Sequence, residues 1–229
     1  MPSIKNIIPG IIALFLSYAA QAQSLKAVQQ IEGIPPKVAY RAIAHDGSGN
    51  LYVATSVDVF MIPSNNNRAQ PMSVGDQIMD VDWSSDYGLI LLSKDGSIRF
   101  TATGKVLTVD AGTGATCMDV TKTMIWVGTN NGVSTVSIPQ EKVVKQYTTA
   151  DGILASNEIT FIHTDPSGIR WIGSRAGVVR IDGKKWKLYE KEQAITGITS
   201  TAEGAWMAAD SNMWLVDAYK RWYPIDDWR

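Results

Sequence analysis

The sequence predicts an all-β repeat protein: a β-propeller of about five four-stranded blades that follows an N-terminal signal peptide. Three observations lead to this prediction. A short segment built around an aromatic or aliphatic residue recurs five times, and turn-forming residues separate short apolar runs within each copy. After the first 22 residues, no stretch keeps apolar residues at helical spacing over three turns.

The composition is that of a folded protein without a strong charge bias. The chain has 229 residues, of which 45% are hydrophobic and 19% are charged, so we expect one repeat domain over residues 23–229. A net charge of -1 gives no electrostatic reason to expect nucleic acid as a partner. Cys117 is the single cysteine, which excludes an internal disulfide and a cysteine zinc cluster.

The N-terminus predicts a cleaved signal peptide over residues 1–22. Lys5 supplies a positive charge, residues 7–18 form an apolar stretch, and Ala20-Gln21-Ala22 is a small-x-small cleavage pattern. The apolar stretch is shorter than the roughly 20 residues that cross a bilayer. We therefore expect a periplasmic or secreted protein with no stable membrane span after cleavage.

The repeat is seen most clearly in two matching segments, Ile-Trp-Val-Gly-Thr at 125–129 and Arg-Trp-Ile-Gly-Ser at 170–174. Weaker copies occur at 51–55, 89–93 and 205–209. The five copies are spaced by 38, 36, 45 and 35 residues, close to the period of a four-stranded blade. Within the best copy, strands at 157–164, 170–174, 178–181 and 186–189 are separated by turn residues.

The recurrent aromatic residues have a structural interpretation. Trp126, Trp171 and Trp206 are expected to fill the space between neighbouring blades. The small residue two places later, as in Gly128 and Gly173, would permit close approach near the narrow centre of the ring.

Residues 151–159, followed by Trp171-Ile172-Gly173-Ser174, Gly177-Val178 and Ile181-Asp182-Gly183, resemble the repeat of two-component regulator propellers. The segment 125–133 agrees with the same repeat. The resemblance implies the periplasmic sensor region of hybrid histidine-kinase regulators of Gram-negative bacteria, which detects glycans or similar ligands. The sequence departs from that family in having fewer than the usual seven blades, no membrane helix after the propeller and no kinase or receiver region.

The number of predicted outer strands does not determine whether the ring of blades is closed. Six segments are typical of a fourth strand, against five sets of the other three: 25–30, 71–74, 105–109, 143–147, 186–189 and 221–225. Either an extra N-terminal strand joins an edge of a five-bladed ring, or the propeller is open or incomplete. An open propeller would expose apolar surface and favour oligomers.

No catalytic constellation is recognisable, so the sequence predicts a protein that is not an enzyme, without a cofactor or catalytic metal. His45 and His163 are the two histidines, one place out of register between repeats, and are expected to be solvated or locally hydrogen-bonded. A metal site using them with acids stays an alternative. The segment 46–50 suggests a calcium loop superficially but is better interpreted as a hairpin turn.

The loops at one face of the propeller are the candidate binding site, because a propeller gathers loops from every blade there. The candidate residues lie between second and third strands or, for Asn157, between blades: Lys94, Asn130, Asn131, Arg175, Asp210, Asn212 and Asn157. Their amides and charges suit a glycan or peptide ligand, or another exported protein. The leading hypothesis is a non-catalytic binding or sensor propeller. The alternatives are an assembly module and, more weakly, a propeller lyase.

Overall fold

The computed structural model describes residues 31–75, 77–110, 114–190, 194–201, 204–209, 212–217 and 221–224. The predicted signal peptide at 1–22, the extra leading strand at 25–30 and the candidate residue Asp210 lie outside these ranges.

Twenty strands form five antiparallel sheets of four strands, each in sequence order. The inner strands are β1 (Tyr40–His45), β5 (Ile78–Ser84), β9 (Ala115–Val120), β13 (Ile159–Thr164) and β17 (Ile195–Thr201). The second strands are β2 (Leu51–Thr55), β6 (Gly88–Ser93), β10 (Met124–Thr129), β14 (Arg170–Ser174) and β18 (Gly204–Ala209). The third strands are β3 (Val59–Ile62), β7 (Ser97–Phe100), β11 (Gly132–Ser137), β15 (Gly177–Asp182) and β19 (Met213–Asp217). The outer strands are β4 (Gln70–Pro71), β8 (Val106–Thr108), β12 (Lys142–Tyr147), β16 (Lys185–Glu190) and β20 (Trp222–Pro224).

Each sheet is one blade, numbered 1 to 5 along the chain, and the predicted all-β propeller with five four-stranded blades is confirmed. The inner strands pack in the order β1, β5, β9, β13, β17. Within the described ranges, no packing of comparable extent joins β17 back to β1. The described blades thus form an ordered series with two ends.

One predicted outer strand is shorter than expected. Of the residues 71–74 that were predicted to form this strand, only Pro71 does so, because β4 ends there. The Asp58 carboxylate accepts the backbone N–H groups of Ser73 and Val74, both at 2.9 Å. These N–H groups are therefore taken by a side chain instead of a neighbouring strand, and the chain turns towards blade 2.

Four of the five apolar clusters lie between consecutive blades, and the fifth lies in blade 1 around Val53, Phe60 and Ile62. Between blades 3 and 4, Trp126 stacks on Tyr147 with ring centroids 5.8 Å apart and contacts Trp186 of blade 4. Trp171, 3% exposed, lies between blades 4 and 5. The predicted inter-blade position of these two tryptophans is confirmed. Trp206 is partly exposed on the side of blade 5 that faces away from blade 4.

The small residue of the repeat is required by close approach of the next blade. A Cβ on Gly128 would lie 2.6 Å from the Cys117 Sγ and 2.7 Å from the Cγ2 of Ile159, the first residue of the next inner strand. Gly173 faces Ile195 in the same way, at 3.1 Å. At these two junctions the next inner strand lies so close that an added Cβ would overlap it at Gly128 and crowd it at Gly173.

The first blade carries an additional N-terminal contact. Glu32 forms a parallel bridge with Arg68, and its backbone exchanges hydrogen bonds with Asn67 and Ala69 just before β4. A chain segment preceding β1 thus lies beside the outer edge of blade 1.

The one described helix is a 3-10 turn, Thr149–Asp151, and no helix in the described part of the chain is long and apolar enough to cross a membrane.

Candidate functional site

The loops between second and third strands emerge on one face, here called the upper face, where the chain also passes from blade to blade. Four candidate residues lie there on three consecutive blades: Lys94 on blade 2, Asn130 and Asn131 on blade 3, and Arg175 on blade 4. All four are exposed. The structure therefore places these residues on a common surface.

A repeated hydroxyl holds these loops in shape. Thr129 at the end of β10 donates to the Gly132 carbonyl at 3.0 Å and accepts the N–H of Asn131 at 2.9 Å. Ser174 makes the equivalent bond to Gly177 in blade 4. The loops carrying Asn130, Asn131 and Arg175 are thus ordered by the buried strand ends beneath them.

The loops of blades 2 and 3 are also tied to each other. The Lys94 carbonyl accepts the N–H of Ala115 at 2.9 Å, and the N–H of Asn130 donates to the Gly114 carbonyl at 3.1 Å. A Cβ on Gly114 would lie 3.6 Å from the Lys94 Cγ, so the lysine stem passes alongside this glycine. Lys94 and Asn130 are held in one hydrogen-bonded unit.

Arg175 and Asn157 make structural contacts on the blade 3–4 side. The Arg175 guanidinium forms an ion pair with Glu158, and both side chains are more than half exposed. The Asn157 side-chain oxygen accepts the Thr149 N–H at 2.7 Å, and its backbone carbonyl accepts the Gly132 N–H at 2.8 Å. Asn157 thus orders the loop that precedes β13.

The last candidate loop is described in part. Asn212 is exposed, and its backbone carbonyl accepts the N–H of Ala209 at 2.9 Å in the upper loop of blade 5.

Two small clefts lie between blades on the described surface. One of about 220 Å³ lies between blades 1 and 2 at the upper face and is lined in part by Gln77, Asp95 and Arg99. Another of about 170 Å³ lies between blades 4 and 5 and is lined in part by Asp165 and Arg180. Both are smaller than the roughly 300 Å³ at which ligand pockets usually begin. The four exposed candidates line neither of these two clefts.

Polar side chains on the inner strands connect consecutive blades. Asp82 of blade 2 accepts the N–H of Val120 of blade 3 at 3.2 Å, and Asp119 of blade 3 accepts the N–H of Thr164 of blade 4 at 2.9 Å. Asp82 lies opposite Ile90 of β6 and Asp119 lies opposite Trp126 of β10, so the two aspartates occupy the same position in their blades. They form a ladder of side-chain bonds towards the strand ends opposite the upper face, since Val120 and Thr164 are the last residues of β9 and β13.

The two histidines do not form a common site. His163 continues the ladder, with its Nε2 2.9 Å from the Ser200 Oγ of blade 5, and burial lowers its pKa. His45 is exposed at the end of β1, and its Nδ1 lies 3.3 Å from the Asp46 carbonyl oxygen. Blades 2 and 3 separate the strands that carry them.

The 46–50 segment is a hairpin turn in the structure. The Asp46 carboxylate accepts hydrogen bonds from the backbone N–H groups of Ser48 and Asn50 and from the Asn50 side-chain amide. The hydrogen bond from the Asn50 side chain lowers the pKa of Asp46. In the described part of the chain, no three His, Cys, Asp or Glu side chains are arranged to hold a metal ion.

Sequence reasoning missed a bulge that recurs in all five inner strands. The register shifts at the second residue of each: Arg41, Met79, Thr116, Thr160 and Thr196. Arg41 donates to the Ile78 carbonyl at 2.7 Å, Thr116 donates to the Ile159 carbonyl at 2.8 Å, and Thr160 donates to the Ile195 carbonyl. The recurrence of threonine at three of these positions was the available signal.

No protein-family model matches this chain, and no curated protein is similar to it in sequence. Solved structures do share its fold. The extracellular domain of BT4673 from B. thetaiotaomicron superposes with a TM-score of 0.68 at 14% identity, covering 82% of this chain and 29% of that chain. The extracellular domain of the hybrid two component system BT3049 from B. thetaiotaomicron gives a TM-score of 0.67 at 15% identity, covering 89% and 30%. A streptogramin B lyase gives 0.70 at 14% identity, covering 86% and 72%.

The fold therefore places this chain among β-propellers. The sequence repeat around Trp171 resembles that of two-component regulator propellers, and extracellular domains of such regulatory systems share the fold of this chain. The chain spans less than a third of the length of those two domains.

Proposed function

We propose that this protein is an exported, non-catalytic propeller that binds a small polar ligand, such as a glycan or peptide, on the upper face of blades 2 to 4. The observation that carries the proposal is the common exposure of Lys94, Asn130, Asn131 and Arg175 on loops ordered from below. Amides and cations of this kind hydrogen-bond to hydroxyl and carboxylate groups. The fold likeness to extracellular domains of regulatory systems supports the export and sensing parts of the proposal.

A thermal-shift screen of the mature chain against oligosaccharides and peptides tests this function. A ligand should raise the melting temperature, and Lys94→Ala with Asn130→Ala should weaken its binding about tenfold or more. Lys187→Ala, on outer strand β16, is the matched control. If no compound shifts a folded sample, or if the control weakens binding equally, the upper-face site is wrong.

Export has its own test. We infer that residues 1–22 are removed and that the mature chain begins near Gln23 in the periplasm or outside the cell. Intact mass measurement of the protein from a periplasmic fraction checks the cleavage site. A full-length mass in the cytoplasm would contradict it.

A second candidate, an assembly module, is favoured by the outer end of the blade series. The side of blade 5 that faces away from blade 4 presents Trp206, Met213, Leu215 and Tyr223, all partly or clearly exposed. At the positions equivalent to Trp206 and Met213, Trp171 and Val178 of blade 4 are 3% and 0% exposed. This apolar surface would suit contact with another exported protein.

Native mass spectrometry and capture from a periplasmic extract test the assembly role. Leu215→Asp should abolish a specific complex, while Val106→Asp, at a 51% exposed position of blade 2, should not. A strictly monomeric protein without a captured partner would eliminate this candidate.

A lyase activity is the weakest alternative, supported only by the fold likeness to a streptogramin B lyase. His45→Ala and His163→Ala remove the two imidazole bases. A turnover that survives both substitutions would remove the histidines as candidates.

A further inference from the structure

The outer strands of blades 3 and 4 carry exposed lysines. Lys142 and Lys185 are the first residues of β12 and β16, so they occupy equivalent positions in the two blades. Lys145 within β12 and Lys184 just before β16 are exposed as well. These four residues are here called the lysine rim. None of them forms an ion pair with another described residue.

Two acidic side chains beside the rim are already paired with other cations. Glu141, which precedes Lys142, pairs with Lys105 of blade 2. Asp182, which lies opposite Lys185, pairs with Arg180 of its own blade. The rim therefore presents positive charge on a chain whose net charge is only -1.

Aromatic rings join the two halves of the rim. The ring of Tyr147 in β12 lies 4.8 Å from the ring of Trp186 in β16, centroid to centroid. The Nζ of Lys145 lies 4.4 Å from the centre of the Tyr147 ring, and Trp186 follows Lys185 in the chain. Both rings are partly exposed. The lysines of the two blades thus belong to one continuous surface.

The strand β12 also exposes apolar side chains between its lysines. Val143 is 39% exposed and Val144 is 49% exposed. Val144 is the extra residue at which the pairing of β12 with β11 shifts its register. Lysines and exposed apolar residues together are typical of surfaces that bind at the lipid–water boundary, because the cations meet anionic headgroups and the apolar side chains enter beneath them.

We propose that the lysine rim, with Val143 and Val144, binds an anionic lipid surface, so that the outer edges of blades 3 and 4 face a membrane. The unpaired lysines supply charge complementarity to the headgroups. The two valines, with Tyr147 and Trp186 beside them, favour lipid over a soluble acidic polymer, because such a polymer offers no apolar phase and aromatic rings of this kind favour the membrane interface.

The lipid surface goes beyond the proposed ligand function. The rim lies on outer strands, whereas Lys94, Asn130, Asn131 and Arg175 lie on the upper-face loops. Lipid binding and ligand binding therefore use separate residues, and either can fail without the other.

Sedimentation of the mature chain with lipid vesicles tests the proposal. The protein should bind vesicles that contain about 30% phosphatidylglycerol and should not bind vesicles of phosphatidylcholine alone. Binding should weaken at least about tenfold when the salt concentration rises from about 50 mM to about 300 mM. No binding to the anionic vesicles, or equal binding to both kinds, would overturn the proposal.

Lysine substitutions locate the surface. Lys142→Gln with Lys185→Gln should weaken vesicle binding about tenfold or more. Lys37→Gln with Arg68→Gln removes two exposed cations of blade 1 and is the matched control. Equal losses in the two variants would show that net charge, and not the rim, controls binding. If the first variant does not fold, Lys145→Gln with Lys184→Gln decides in the same way.

Valine substitutions distinguish lipid from a soluble polyanion. Val143→Ser with Val144→Ser should weaken vesicle binding about threefold or more, because less apolar surface enters the lipid. The same variant should bind soluble polyglutamate no differently from the unchanged protein. Val57→Ser, at a 45% exposed position of blade 1, is the control. If the double serine variant binds vesicles as tightly as the unchanged protein, the rim is a polyanion site and the lipid proposal is wrong.

Discussion

Arg170 of blade 4 and Asp119 of blade 3 form an ion pair between blades, with Nε and Oδ2 3.2 Å apart and side chains only 13% and 12% exposed. The Arg170 guanidinium also lies over the Trp126 ring, 4.3 Å from its centroid. One side chain therefore neutralises an inter-blade carboxylate and covers the aromatic centre of the same interface.

Removal of Arg170 should strongly destabilise the protein. Arg170→Met keeps much of the packing but leaves Asp119 without its counter-ion, so we expect a loss of about 2–4 kcal/mol in the free energy of unfolding. Urea denaturation measures this loss. Lys105→Ala, which breaks an ion pair with the 58% exposed Glu141, should cost less than about 1 kcal/mol. Equal losses would refute a special role for the inter-blade pair.

Gly128→Ala should disturb the approach of blade 4 to blade 3. The new methyl group would overlap Cys117 and Ile159, so we expect a loss of about 1–3 kcal/mol in the free energy of unfolding. Gly197→Ala is the control, because nothing lies within 4 Å of its Cβ position. Thermal unfolding distinguishes the two variants, and an unaffected Gly128→Ala protein would show that the blades can separate without cost.

Thr160→Val tests the bulge hydrogen bond between blades 4 and 5. Valine keeps the branched shape but leaves the Ile195 carbonyl without its hydroxyl donor, which should cost about 1–2 kcal/mol of stability. Thr196 occupies the same bulge position in blade 5, yet it donates to Ala208 of its own blade. Thr196→Val should therefore change stability by less than about 0.5 kcal/mol. Similar losses in chemical denaturation would mean that the inter-blade bond adds nothing.

Cys117 should be unreactive in the folded protein. Burial raises the pKa of its thiol to about 12, so almost no thiolate exists at pH 8, and its side chain lies inside the blade 3–4 interface. A thiol reagent should label it at least about a hundredfold more slowly than in urea. Val143→Cys, at a 39% exposed position, supplies a fast-reacting thiol in the same molecule as a control. Rapid labelling of native Cys117 would contradict the packed interface.

The repeat made the blade predictable, whereas the bonds between blades were not. Trp126 and Trp171 recur at matching positions, and a periodic aromatic residue in a β-repeat is typical of the core. Asp80, Asp82 and Asp119 do not recur as one residue type. The equivalent positions of other blades hold alanine, cysteine, phenylalanine, glycine, histidine and threonine. The partners of the three aspartates lie 38 to 45 residues away along the chain, so no local pattern indicated them.

The candidate site was likewise predictable from the sequence only in part. Loop position alone placed Lys94, Asn130, Asn131 and Arg175 on one face, since all follow a second strand. It did not predict that Asn157 orders its own loop or that Glu158 pairs with Arg175, because both contacts depend on how the loop at 148–158 folds back on blade 3.

The sequence alone determined that this chain forms five four-stranded blades, because strand alternation, turn residues and the repeated tryptophan are local properties that recur with a fixed period. Only the tertiary structure decided which side chains bridge the blades and that, within the described residues, blade 5 is not packed against blade 1. Those features depend on the distances between strands that are far apart in the chain.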